Sequence, residues 1–94
     1  MMNEEIKAVR TVVIRNQQGM HARPADLFVK RAAQFKSTIE VIKDNERVDG
    51  KSILAILMLA AVAGTELRLE GTGVDAEAAL DSLAELVNQG FGEE

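Results

Sequence analysis

The segment Gly19-Met20-His21-Ala22-Arg23-Pro24-Ala25 holds the residues best suited to reactive chemistry. His21 is the sole histidine of the 94 residues, set between a glycine-marked loop and a proline-marked helix start. Pro24 fits the first turn of a helix, where its missing N–H has no intrahelical partner. The imidazole therefore lies beside free backbone N–H groups, and such a helix N-terminus attracts anions through its donors and its dipole. Arg23, two residues on, can grip the same anion through its guanidinium fork. An imidazole of ordinary pKa, near ~6.5, is largely neutral at pH 7, so a ring nitrogen can be a nucleophile. These residues suit a phosphohistidine site, in which the imidazole attacks a phosphoryl group while Arg23 and the helix N-terminus stabilise its oxygens. The plainer reading is a surface histidine beside a helix start, and the glycine–histidine–arginine–proline arrangement weighs against it.

Regular elements must hold that segment in place. Residues 8–14 are rich in β-branched types and read as a strand, broken by Asn16-Gln17-Gln18-Gly19. Ala25, Phe28, Val29, Ala32 and Phe35 recur at helical spacing, which predicts a helix over 22–35. Residues 38–43 read as a second strand, and Asp44-Asn45 as a turn into a short third strand, 46–49. Ser52 can cap a short helix from Ile53 to about Leu59. Glu66-Leu67-Arg68-Leu69-Glu70 alternates as a half-buried strand. Asp75 reads as the N-cap of a last helix over about 76–89, with Gly90 just past its end. The order β-α-β-β-α-β-α predicts an α+β fold, an antiparallel sheet with its helices packed on one side.

Composition narrows the function. The length suits one domain over residues 1–94, with 1–6 and 91–94 expected to be frayed. No cysteine is present, so disulfides, thiol nucleophiles and thiolate metal sites are excluded, and no metal or cofactor is expected. A net charge of −4, three Phe and no Tyr or Trp argue against nucleic acid as a partner. The longest strongly apolar run, residues 53–63, is far short of the ~20 residues that span a bilayer. With an acidic start and no apolar leader, a cytoplasmic protein without membrane insertion is expected, and nothing demands more than a monomer.

Gly19-Met20-His21-Ala22-Arg23-Pro24-Ala25 is similar to the active-site motif of the HPr family, the histidine-containing phosphocarriers of the bacterial phosphoenolpyruvate:sugar phosphotransferase system. The resemblance spans about residues 8–90. It includes a second motif, Gly50-Lys51-Ser52-Ile53-Leu54, followed by Leu57-Met58-Leu59. It implies an open-faced β-sandwich: a four-stranded antiparallel sheet with three helices on one face. It also implies that His21 accepts phosphate from phospho-enzyme I on Nδ1 and passes it to a IIA component. Arg23 would then position the phosphate, and Ala22 would offer a backbone N–H. Such a protein is a phosphoryl carrier and not an enzyme with turnover of its own.

Ser52 carries two compatible readings: a helix cap, and, by the resemblance, a regulatory phosphorylation site for an HPr kinase/phosphorylase. A phosphate there would add ~1.5–2 negative charges beside a docking surface without opposing the helix dipole. Residues 53–62 are apolar nearly all round, more than one sheet face can bury, so part of the stretch is expected to meet partners. By the resemblance, Met20, Ile53, Leu54 and Leu57 ring His21 and dock enzyme I and IIA. Asp26, one turn after Arg23, is placed for a weak i,i+3 pair with it. Leu57-Met58-Leu59 and the ending Gly90-Phe91-Gly92-Glu93-Glu94 resemble nitrogen-branch paralogues of HPr, whereas Gly50-Lys51-Ser52 resembles the sugar-branch type, so the branch stays open. A regulatory interaction module acting through its phosphorylation state is the alternative function. A ferredoxin-like ligand- or RNA-binding sandwich is disfavoured by charge and lack of aromatics. A hydrolase is disfavoured because the motif places no second acid–base group.

Overall fold

A computed structural model describes residues 6–93, so most of the amino-terminal stretch expected to fray lies outside the described residues. The elements follow in the order β1 (Lys7–Val13), α1 (Ala22–Ala32), β2 (Thr38–Lys43), β3 (Glu46–Asp49), α2 (Ile53–Met58), β4 (Glu66–Thr72) and α3 (Ala76–Asn88), closed by a 3-10 turn, Gly90–Gly92. One sheet of order β1-β4-β2-β3 carries all four strands, and every neighbouring pair is antiparallel.

Strand alternation separates the two sheet faces. Ala8 and Val12 of β1, Ile39 and Val41 of β2, and Leu67 and Leu69 of β4 point into the core. There they meet Ala25 and Phe28 of α1, Ile56 of α2, and Leu80 and Leu83 of α3. The opposite face stays open: Val9, Glu70, Glu40 and Asp49 align across it in register. Arg47 bridges Glu40 and Glu70 there at 2.6 and 2.8 Å. This is the open-faced α+β sandwich that the element order and the resemblance imply.

Three local expectations need correction. Helix α1 ends at Ala32, not at residue 35. Gln34 and Phe35 instead make tighter i→i−3 bonds, and Lys51 Nζ donates to the Phe35 carbonyl at 2.8 Å. The apolar stripe continues to Phe35, which packs on the core, while the backbone has already left the helix. Asp75 takes the N-cap position of α3, where its carbonyl accepts the Ala79 N–H at 2.9 Å, but its side chain makes no capping bond. Its carboxylate accepts the backbone N–H groups of Lys36 and Ser37 and the Ser37 hydroxyl, fixing the loop that leaves α1. The third correction concerns the carboxy-terminal residues. Gly90 takes the left-handed φ of +64° that a helix-ending glycine supplies, and the chain turns back so that Phe91 is buried. Residues 91–93 are thus packed against the body, because an aromatic ring removed from water ties them down.

Ser52 caps α2 as expected: its Oγ accepts the Ala55 N–H at 3.2 Å. Asp44 takes a left-handed φ of 54° in the β2–β3 turn, a conformation that aspartate tolerates well. Among the described residues no helix is long and apolar enough to cross a membrane.

Candidate functional site

The loop between β1 and α1 is folded on itself by Asn16. The Asn16 carbonyl accepts the Gly19 N–H at 3.1 Å, and the Asn16 side-chain Nδ2 donates to the Gly19 carbonyl at 2.6 Å. Gly19 has φ +73°, and a Cβ there would stand 2.6 Å from the Ala61 carbonyl oxygen. Only glycine fits both the conformation and the approach. The next residue, Met20, donates its N–H to that same Ala61 carbonyl at 2.8 Å. The loop is therefore pinned between its own asparagine and the segment after α2.

This pinning places His21 at the N-cap of α1 with extended backbone angles. The His21 carbonyl accepts the first intrahelical bond, from the Ala25 N–H. Ala22 and Arg23 precede that bond, and Pro24 has no N–H to offer, so the first turn points free donors outward. The His21 side chain makes no capping bond to the helix it starts. Its ring is about one-third exposed, and the Arg23 side chain is 60% exposed.

Both side chains converge on a residue that the sequence did not single out. Glu93 Oε2 lies 3.1 Å from His21 Nε2 and accepts from Arg23 Nη1 at 2.9 Å. Its Oε1 accepts from Asn16 Nδ2 at 3.0 Å. Burial pushes the Glu93 carboxyl up, but the hydrogen bonds of His21, Asn16 and Arg23 outweigh it and hold the group below the usual carboxylate range. Asp26 does not reach Arg23; it pairs with Lys30 at 3.1 Å across one helical turn. Arg23 is thereby left to the tail carboxylate. Asn16 read only as a loop breaker, and Glu93 only as part of a terminus. The acidic residue just past Gly90-Phe91-Gly92 was the one available signal.

The apolar surface on α2 is real but differs in membership. Ile53 is 39% exposed and Leu54 65%, while Leu57 is half-buried against the core. Met58 and Val62, at 73% and 66%, extend the patch, and Leu59 belongs to the core. Met20 corrects the expectation of a docking residue: it is buried, because the left-handed turn at Gly19 and the Ala61 bond aim its side chain inward. Val62 lies beside that turn, with its Cα 2.9 Å from the place of a Gly19 Cβ, so the patch borders the histidine loop.

The arrangement gathers an imidazole, an exposed guanidinium and the N–H donors of a helix start at one surface spot, the kinds of group that phosphoryl transfer asks of a protein. Known proteins agree with it. Residues 8–89 match the family model described as the PTS HPr component phosphorylation site. The phosphocarrier protein HPr of Neisseria meningitidis is 44% identical over 84 residues, covering 89% of this chain and 94% of that protein. The phosphocarrier protein HPr of Treponema pallidum is 43% identical, covering 92% and 98% respectively. The crystal structure of HPr from Thermoanaerobacter tengcongensis superposes with a TM-score of 0.89 at 44% identity, covering 93% of this chain and 98% of that one. Sequence, fold and site thus converge: the chain belongs to the HPr family, the phosphocarriers of the phosphotransferase system.

Proposed function

We propose that His21 accepts a phosphoryl group on Nδ1 from phospho-enzyme I and hands it to IIA components of the phosphotransferase system. The observation that carries this reading is the convergence of a partly exposed imidazole that makes no capping bond and the Arg23 guanidinium at the first turn of α1. Arg23 is long and exposed enough to follow the phosphoryl oxygens as they move from donor to acceptor. The Ala22 N–H, ahead of the first helical bond, adds a fixed donor. A shallow site suits a carrier, which must bind the group weakly enough to release it, and the chain has no turnover of its own. It works in the cytoplasm. Ile53, Leu54 and Leu57, with Met58 and Val62, form the surface on which enzyme I and IIA dock in turn.

Ser52 is the regulatory site for an HPr kinase/phosphorylase. Its Oγ already serves Ala55, and a phosphate on that oxygen keeps acceptors for the same N–H. The added charge stands next to Ile53 and Leu54, so it weakens apolar docking without unfolding α2.

The test is a transfer assay with enzyme I and labelled phosphoenolpyruvate, run beside His21→Ala. Acid-labile, alkali-stable label on the parent and none on the variant is the expected result. No label on a folded parent, with enzyme I itself phosphorylated, refutes the reading.

A further inference from the structure

We propose that Glu93 is a positioning residue for phosphoryl transfer, held by Asn16, and that its carboxylate fixes the His21 tautomer whose Nδ1 is the nucleophile. The inference rests on the carrier reading of His21. An ionised carboxylate only accepts hydrogen bonds, so Nε2, 3.1 Å from Oε2, must carry the imidazole proton. Nδ1 is then left with the lone pair. In the transfer that pair forms the N–P bond, while the bond from phosphorus to the donor breaks and its electrons leave with the donor. The ring becomes a phosphoimidazolium whose Nε2–H still faces Glu93. A carboxylate beside a ring that gains positive charge stabilises the product of attack more than the neutral reactant.

Asn16 shows that this carboxylate is deliberately placed. The side chain is 2% exposed, and both its Nδ2 partners, the Gly19 carbonyl and Glu93, are acceptors. In that orientation the buried Oδ1 has no protein partner among the described residues, so the two Nδ2 bonds are what fix the side chain. Asn16 thus couples the two halves of the site: one bond shapes the turn before His21, and the other holds the carboxylate behind its ring. Arg23 Nη1 donates to Oε2, the same oxygen that faces the His21 ring, which orients the guanidinium while its other nitrogens have no partner among the described residues.

The experiment compares parent and Glu93→Ala by two readouts. The first is the 15N shifts of the His21 ring, recorded in the alkaline range where imidazoles are neutral. The second is the rate of label uptake from phospho-enzyme I. The parent is expected to hold the Nε2–H tautomer alone, and Glu93→Ala to show a mixture of tautomers with uptake slowed on the order of tenfold, the lower end of what losing a partner that orients a metal-ligating histidine costs. Asn16→Ser, which frees the carboxylate without deleting it, should move both readouts the same way by a smaller factor. An unchanged tautomer in Glu93→Ala overturns the proposal. So does uptake as fast as the parent's; faster uptake would make Glu93 a competitor for Arg23. Absence of label on the parent sinks the carrier reading itself, whatever the tautomers show.

Discussion

Phe91 makes the attachment of the carboxy-terminal segment measurable. Its ring is 2% exposed in the core, yet its backbone sits at φ 57°, a conformation that non-glycine residues adopt at a cost. Phe91→Ala deletes the ring and leaves the left-handed cost in place, since alanine also carries a Cβ. The loss is then the burial of one phenyl ring and the space it leaves, about 3 kcal/mol. A domain of 94 residues has roughly 5–14 kcal/mol of stability in all. With a urea slope of about 1–1.5 kcal/mol/M for this size, the midpoint should fall by roughly 2–3 M. Phe91→Gly loses the same ring but relieves the backbone, by about 1–2 kcal/mol, against roughly 0.5–1 kcal/mol of added chain entropy. Glycine should therefore be no worse than alanine here, the reverse of the order in a helix or strand interior. The assay is urea unfolding by circular dichroism, with the His21 ring signal followed in parallel. A Phe91→Ala midpoint shift below about 0.5 M, or a glycine variant clearly less stable than the alanine one, would refute the claim that this ring anchors the tail in a left-handed turn.

Other outcomes follow from the same structure. Gly19→Ala drives a Cβ to 2.6 Å from the Ala61 carbonyl at φ +73°, so it should destabilise by more than about 1–2 kcal/mol and slow His21 labelling; thermal melts and the transfer assay check both. Ser52→Ala should cost about 1 kcal/mol through its lost cap while His21 labelling stays intact. Leu54→Glu, on a side chain already 65% exposed, should change stability by less than about 0.5 kcal/mol yet raise the KM for phosphorylation by enzyme I. Hydrogen bonds from the Ser37 hydroxyl and the Lys36 and Ser37 amides lower the Asp75 carboxyl. A folded pKa below the unfolded one gives stability that is present above the unfolded value, near ~3.9, and lost as pH falls through the folded one. Asp75→Asn should flatten the acid limb of the stability profile, and an unchanged limb counts against the Asp75 clamp.

What the sequence disclosed was whatever depends on local periodicity and on residue type. The strands announced themselves by β-branched runs and alternation, the hairpin by Asp44-Asn45, and the reactive segment by its lone histidine before Pro24. The failures all arise from contacts between distant residues. The stripe through Phe35 could not show that the backbone would leave the helix at Ala32, because Lys51 and Asp75 take over the carbonyl and amides beyond it. Asp75 had the right type and position for a cap, but Ser37 is a partner that helix statistics do not contain. Met20 looked like a surface residue, but the Gly19 turn lies against the distant Ala61, whose carbonyl holds the Met20 amide and turns the side chain inward. Glu93 escaped because nothing in its neighbourhood of the chain links it to residue 21.

That last separation has its own consequence. Seventy-two positions divide the imidazole from the carboxylate behind it. Between them lie six of the seven regular elements, so the contact closes only after β4 has zipped between β1 and β2 and α3 has settled on the sheet. A chain emerging from the ribosome can present His21 long before it can present a finished site. On the positioning role proposed for Glu93, a molecule whose carboxy-terminal segment has not docked takes up phosphate more slowly than a finished one, so the uptake rate reports assembly as well as chemistry.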